Sequence, residues 1–261
     1  MNVISWQEFV SGAFEDPPIA ATVGVFDGLH LGHRELVSRV LSDRGTHPAV
    51  FTFRDNPKRS LRPGTFHGDL FTPGQKLEEL ERLGVEVCVQ IDFSGDFSKL
   101  AGRIFLSLLA KNGDLRLLVI GSDFRCGHRL DTGVEEIRSY YGPLGIRTEV
   151  LDPVLWGGHP VSSSRIRRSV AEGRLDAAAA MLGRPYELDL RAAIRAGPGL
   201  GGYELAGAQV APPAGRYEVL AAGPGFEEPV SAMFDGRVWM FEAPQGRGCE
   251  ALRLVRMVSR V

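Results

Sequence analysis

No apolar run among the 261 residues is long enough to span a bilayer. Met1 to Phe9 carries Glu8 and no basic flank before an apolar stretch, so it does not read as a secretory leader. Cysteine is scarce. Cys88, Cys126 and Cys249 are odd in number, widely scattered and without metal-ligand spacing, so neither a disulfide framework nor a thiolate metal site is expected. Excess charge is missing too: the formal net charge is −2, and the basic residues form no stripe suited to nucleic acid. No internal repeat is apparent. These absences favour a cytoplasmic protein acting on small molecules, with anion recognition confined to local sites. Hydrophobic residues make up 44% and charged residues 24%, which places the chain among ordinary globular proteins.

What is present is alternation. Ile19 to Gly24 is a short apolar run, followed by Leu36, Val37, Val40 and Leu41 at helical spacing, then a strand-like Ala49 to Phe53. Leu77, Leu80 and Leu83 make a helix face ending at Gly84, and Val85 to Ile91 is the next strand. Leu100, Ile104, Phe105, Leu108 and Leu109 form a helix stripe stopped near Gly113. Leu115 to Ile120 is a buried strand, Val134, Ile137 and Tyr141 mark a helix, and Ile146 to Leu151 a fifth strand. The pattern predicts an α/β fold, a Rossmann-like parallel sheet covered by helices, over residues 1–185. After Arg184-Pro185 helical periodicity stops. Short β-like runs follow at Tyr203 to Val210, Arg216 to Ala221, Val230 to Phe234, Val238 to Phe241 and Ala251 to Val258. Turn chemistry separates them at Pro212-Pro213, Gly223 to Gly225 and Asp235-Gly236. Residues 186–261 therefore read as a small antiparallel, barrel-like β domain.

Two segments carry chemistry. Gly24-Val25-Phe26-Asp27-Gly28-Leu29-His30-Leu31-Gly32-His33 leaves the Ile19 to Gly24 strand and starts a helix, the place where open α/β sheets bind ligands and anions meet free N–H groups. Glycines allow close backbone approach, and two imidazoles three residues apart share one side of a helical turn, facing a phosphate. A lone His-x-x-His is more often a capping or surface pair, and no third metal ligand sits nearby at a familiar spacing. The glycines and the strand–turn–helix setting favour the phosphate role. The second segment, Val161-Ser162-Ser163-Ser164-Arg165-Ile166-Arg167-Arg168, opens a helix with capping serines. Arg167, with Arg165, would supply charge-assisted hydrogen bonds to phosphate oxygens; a capped surface helix with solvated arginines is an equal alternative. His47, His67, His128 and His159 read as surface residues, and Trp156 and Trp239 as packing residues.

His30-Leu31-Gly32-His33 resembles the HxGH signature of the nucleotidylyltransferase superfamily, and Ser162 to Arg167 resembles its SSTxIR signature. From about residue 18 to 188 the chain resembles the adenylyltransferase module of bacterial bifunctional riboflavin kinase/FAD synthetases. Gly24 to His33, the Leu77 to Val85 helix end, Gly121-Ser122-Asp123-Phe124-Arg125-Cys126-Gly127 and Leu182-Gly183-Arg184-Pro185-Tyr186 all have counterparts there. The resemblance implies transfer of AMP from ATP to FMN, giving FAD and pyrophosphate, with Mg²⁺ accompanying ATP and no assigned protein ligand to the metal. His30, His33, Ser163, Ser164 and Arg167 would be catalytic. Gly24, Val25, Phe26, Gly32, Asp123, Ser162 and Arg165 would bind ATP. Phe53, Asn56, Pro57, Phe124 and Arg125 would bind the flavin.

Departures limit the resemblance. Ser164 stands for a Thr, Cys126 for a Phe, and Phe53-Arg54-Asp55-Asn56-Pro57 for the family's F-D/E-P-H-P, which weakens the flavin side more than the ATP side. The Gly-x-Pro-Thr-Ala-Asn run of family kinase domains has no equivalent between Tyr186 and Val261, where Pro198-Gly199-Leu200-Gly201-Gly202 is the nearest glycine-rich stretch. The expectation is an FAD synthetase without riboflavin kinase activity. Alternatives are adenylyl or cytidylyl transfer to another phosphomonoester, and a non-catalytic flavin-nucleotide-binding protein.

Overall fold

The computed structural model describes residues 1–12, 18–61, 64–93, 95–191, 193–195, 202–205, 209–242 and 252–261. Cys249 and the glycine-rich run from Gly197 up to Gly201 lie outside the described residues, and the strands expected over Tyr203 to Val210 and Ala251 to Val258 are described only in part. Contacts divide the chain into two units, Met1–Pro63 with Leu77–Val154, and Gly64–Lys76 with Leu155–Val261. Among the described residues no helix is long and apolar enough to cross a membrane.

The first unit runs β1 (Asn2–Ser5), α1 (Trp6–Val10), β2 (Ile19–Gly24), α2 (Leu31–Leu41), β3 (His47–Phe53), α3 (Pro57–Leu61), α4 (Pro73–Leu83, its turns from Leu77 onward), β4 (Val87–Ile91), α5 (Gly102–Asn112), β5 (Leu115–Gly121), α6 (Val134–Tyr141) and β6 (Arg147–Leu151). The six strands pair in parallel in the order β1-β4-β3-β2-β5-β6. Successive side chains of a strand point to opposite faces. Ile19, Ala21, Val23, Leu118 and Ile120 accordingly join one cluster, with Phe9, Phe105, Leu109, Ile137 and Tyr141. Ala20, Leu117 and Val119 meet Val40 and Leu36 of α2 on the other face. The doubly covered parallel sheet read from the sequence is therefore present. It has six strands rather than five, because β1 and α1 carry no apolar run to announce them.

The second unit holds a short hairpin, β7 (Leu155–Trp156) and β8 (His159–Pro160), then α7 (Ser163–Ala171) and α8 (Leu175–Leu182). Gly183, at φ 74°, closes α8 in the left-handed conformation that glycine adopts without strain. Seven antiparallel strands follow: β9 (Glu187–Asp189), β10 (Ile194–Arg195), β11 (Gly202–Glu204), β12 (Gly215–Gly223), β13 (Phe226–Phe234), β14 (Val238–Phe241) and β15 (Leu254–Arg260). They form a curled sheet of order β10-β11-β14-β13-β12-β15-β9. Tyr217, Val219 and Ala221 alternate inward along β12, facing Val255 and Met257 of β15. Trp239 is fully buried, stacked on Phe234 at 4.5 Å and on Phe241 at 6.0 Å.

Candidate functional site

The chain order of the first sheet reverses at β2. From β2 the chain lays down β3 and then β4 on one side, then returns to place β5 and β6 on the other. The crevice at such a reversal, outside the carboxyl ends of the strands, is where open α/β sheets bind ligands. The carboxyl end of β2 is Gly24, and that of β5 is Gly121. Two sequence-predicted segments, Gly24 to His33 and Gly121 to Gly127, thus leave neighbouring strands at the same edge.

The turn after β2 is conformationally unusual. Phe26 has φ 51° and Leu29 φ 37°, and both are fully buried. Left-handed backbone at a non-glycine residue costs about 1–3 kcal/mol, persists only where the surroundings impose it, and clusters at ligand sites. The surroundings here are identifiable. Thr52 Oγ1 of β3 donates to Val25 O at 3.1 Å, and Leu29 N–H donates to Phe26 O at 3.3 Å. A Cβ added at Gly24 would sit 3.2 Å from the Phe26 ring, so the bare backbone there gives Phe26 its place.

That turn delivers His30 as the N-cap of α2, with φ −65° and ψ 172°. Its Nδ1 accepts from His33 N–H at 3.4 Å, which places the ring hydrogen of neutral His30 on Nε2. The rings of His30 and His33 stack with centroids 3.6 Å apart, and the Phe26 ring lies edge-on to His33 at 5.1 Å. Gly32 leaves room for the His30 ring, whose atoms would lie 3.4 Å from a Cβ there. The structure thus brings together His30, His33, Phe26, Gly24, Val25 and Gly32 at a helix N-terminus whose N–H groups suit an anion.

Asp123 and Arg125 are exposed on the loop after β5, while Phe124 packs against the core. Arg125 Nε donates to Leu130 O at 2.9 Å. Cys126 and Thr132 exchange backbone hydrogen bonds of 2.9 and 3.1 Å. Burial, with Asp131 nearby, pushes the Cys126 thiol up to about 12, which keeps it unreactive. Phe53 closes β3 and meets Phe93 and Phe97 edge-on at 5.8 and 5.9 Å. Phe93 and Phe97 went unread in the sequence because they sit in a connection without periodicity. Together these half-buried rings form an aromatic surface beyond the carboxyl ends of β3 and β4. Asn56 is buried and its Oδ1 accepts from Lys58 N–H at 3.1 Å, so it caps α3, with Pro57 opening that helix.

In the second unit Ser162 is the N-cap of α7, its Oγ accepting from Arg165 N–H at 3.3 Å, and Ser163 and Ser164 occupy the first turn. The two arginines do different things. Arg165 donates to His159 O at 2.8 Å, Pro160 O at 2.7 Å and Trp156 O at 3.2 Å, and lies over the Trp156 ring. Trp156, read as a packing residue, is 37% exposed: a two-residue hairpin strand has no core to enter. Arg167 Nε donates to Gly68 O at 2.9 Å, with its guanidinium 5.3 Å from the Phe66 ring. Among the described residues no group of three or more His, Cys, Asp or Glu side chains is placed to hold a metal ion.

Comparisons with known proteins agree on the family. The family described as FAD synthetase matches residues 14–165, more than half of the chain. The chain is 27% identical over 168 residues to the bifunctional riboflavin kinase/FMN adenylyltransferase of Listeria monocytogenes, covering 63% of this chain and 53% of that protein. It is 25% identical over 168 residues to the FAD synthetase of the same species, covering 63% and 68%. The chain spans about half the length of the first of these relatives. A crystal structure described as a macrolide-efflux protein from Streptococcus pneumoniae has TM-score 0.83 at 22% identity, covering 100% of this chain and 91% of that one, a likeness of fold alone. A parallel sheet that turns back at β2, an HxGH segment at its carboxyl edge and a family match over the same residues lead to one conclusion: the chain belongs to the FAD synthetase family.

Proposed function

We propose that this chain is an FMN adenylyltransferase. A phosphate oxygen of FMN attacks the α-phosphorus of ATP, the bond from that phosphorus to the bridging oxygen breaks, and pyrophosphate leaves as FAD forms. The observation that carries this reading is the stacked His30–His33 pair, held at the N-terminus of α2 at the sheet's point of reversal. Imidazole N–H groups and helix N–H groups there counter charge on the ATP phosphates, and removing one such donor costs about 10²–10³ in kcat. The family resemblance assigns Ser163, Ser164 and Arg167 of α7 to phosphate binding as well, and Asp123 and Arg125 act from the loop after β5. No covalent intermediate on the protein is needed, since positioning and charge stabilisation suffice. Mg²⁺ accompanying ATP would supply charge neutralisation at the phosphates, and no residue of this chain is assigned to hold it. Phe53, Phe93 and Phe97 offer an apolar aromatic surface suited to a flavin ring.

The curled sheet of the second unit is proposed to lack riboflavin kinase activity, since the Gly-x-Pro-Thr-Ala-Asn run is missing from the sequence. Purified protein with FMN, ATP and Mg²⁺ should form FAD and pyrophosphate in equal amounts, and His30→Ala should lose about 10²–10³ of the rate. Riboflavin with ATP should give no FMN. A second reading, transfer to another phosphomonoester, is favoured by Asn56, which caps α3 at the position where the family pattern has a histidine. Pyrophosphate release with other phosphomonoesters and none with FMN would select it. Tight nucleotide binding without any turnover would leave only a binding protein.

A further inference from the structure

Arg34 carries a positive charge in the first turn of α2, next to His33, where the helix dipole disfavours a cation. Its side chain has two partners. Nε donates to Leu29 O at 3.2 Å, and Nη2 meets Glu79 of α4 in a charge-assisted hydrogen bond. Glu79 is buried and also accepts from Nε and Nη2 of Arg82 at 2.8 and 2.7 Å. The carbonyl that Arg34 holds belongs to the peptide linking Leu29 to His30. Leu29 is the second of the two non-glycine left-handed residues in the turn, and the one directly before His30.

We infer that Arg34, anchored by Glu79, is a positioning residue for His30. By fixing the Leu29 carbonyl it keeps the His30 ring stacked on His33, with Nδ1 turned to the His33 N–H and the ring hydrogen on Nε2. This rests on the proposed reading of His30 and His33 as the phosphate-binding pair. A lysine cannot replace Arg34, because a single ammonium lacks the planar fork that reaches a carbonyl and a carboxylate at once.

The test uses the full chain and two kinds of readout. Arg34→Lys should lower kcat for FAD formation about 10- to 100-fold while KM for ATP stays near the wild-type value, as expected of displaced catalytic groups. Glu79→Gln keeps an acceptor and should cost less. The double variant should be no worse than Arg34→Lys alone, because the two residues act as one device. Independently of activity, ¹⁵N ring spectra of the ligand-free protein should show His30 leaving its Nε2–H tautomer in Arg34→Lys. Wild-type kcat together with unchanged His30 ring signals would overturn the inference, as would a lowered melting temperature with normal ring signals. Should Arg34→Lys fail to fold, Glu79→Gln carries the same two readouts. If the wild-type protein makes no FAD but the ring signals still move, the positioning role stands and the proposed reaction falls.

Discussion

Two arginines two positions apart on α7 look interchangeable in sequence, yet their surroundings separate them. Arg165 ties three carbonyls of the β7–β8 hairpin together, so Arg165→Ala should loosen that hairpin more than it slows turnover, read by amide exchange at Trp156 to Pro160. Arg167 is oriented by the Gly68 carbonyl over the Phe66 ring, and Arg167→Ala should cut kcat/KM for FAD formation by about 10²-fold. Gly68 cannot be anything larger. Its φ is 109°, and a Cβ there would come within 2.8 Å of the Gln209 backbone carbon. Gly68→Ala should therefore destabilise by about 1–3 kcal/mol in urea unfolding and lower turnover with it. Serine and histidine at the starts of α7 and α2 were legible because capping chemistry and glycine spacing are local. The partners of Arg167 were not, since Gly68 is 99 residues away in the chain.

The strands of the parallel sheet from β2 onward were read within about two residues, whereas β13 starts at Phe226, four residues before the run read from Val230. The first helix was not read, although Ser5 and Glu8 form a complete capping box, with Ser5 N–H donating to Glu8 at 2.7 Å and Ser5 Oγ accepting from Glu8 N–H at 3.2 Å. That Ser-x-x-Glu spacing was the available signal, and five residues of helix gave no apolar stripe to support it. Strand β9 was missed for the same reason, yet it carries Asp189, a buried carboxylate. Burial alone would raise Asp189, but hydrogen bonds from Arg191 and from Thr72 Oγ1 at 2.8 Å prevail and hold it below the ordinary carboxylate range. A depressed carboxyl contributes stability that is complete above the unfolded pKa, near 4, and is lost as pH falls through the lower folded value. Urea midpoints of the second unit should accordingly drop on acidification below about pH 4. Asp189→Asn should lose about 1–3 kcal/mol at neutral pH and flatten that acid dependence.

At the scale of the whole molecule, the chain divides into two compact units. In the second, Trp239→Ala would remove the ring that Phe234, Phe241 and Tyr217 all pack on, and should cost about 3–5 kcal/mol of that unit's stability, followed by near-ultraviolet circular dichroism. In the first, Phe97→Ala should raise KM for FMN about fivefold to tenfold and leave KM for ATP unchanged, as loss of one aromatic contact predicts. Fold class was legible from alternation alone, and family from four ordered motifs. The aromatic surface was not, because only the sheet order places Phe53 beside Phe93 and Phe97. Strand β2 has β5 on one flank and β3 on the other. Under the proposed reading the His30–His33 loop hangs from β2 and the Phe53 segment from its neighbour β3. Because the two segments leave separate strands, the proposed acceptor segment from Phe53 to Pro57 can change without rebuilding the turn that presents His30.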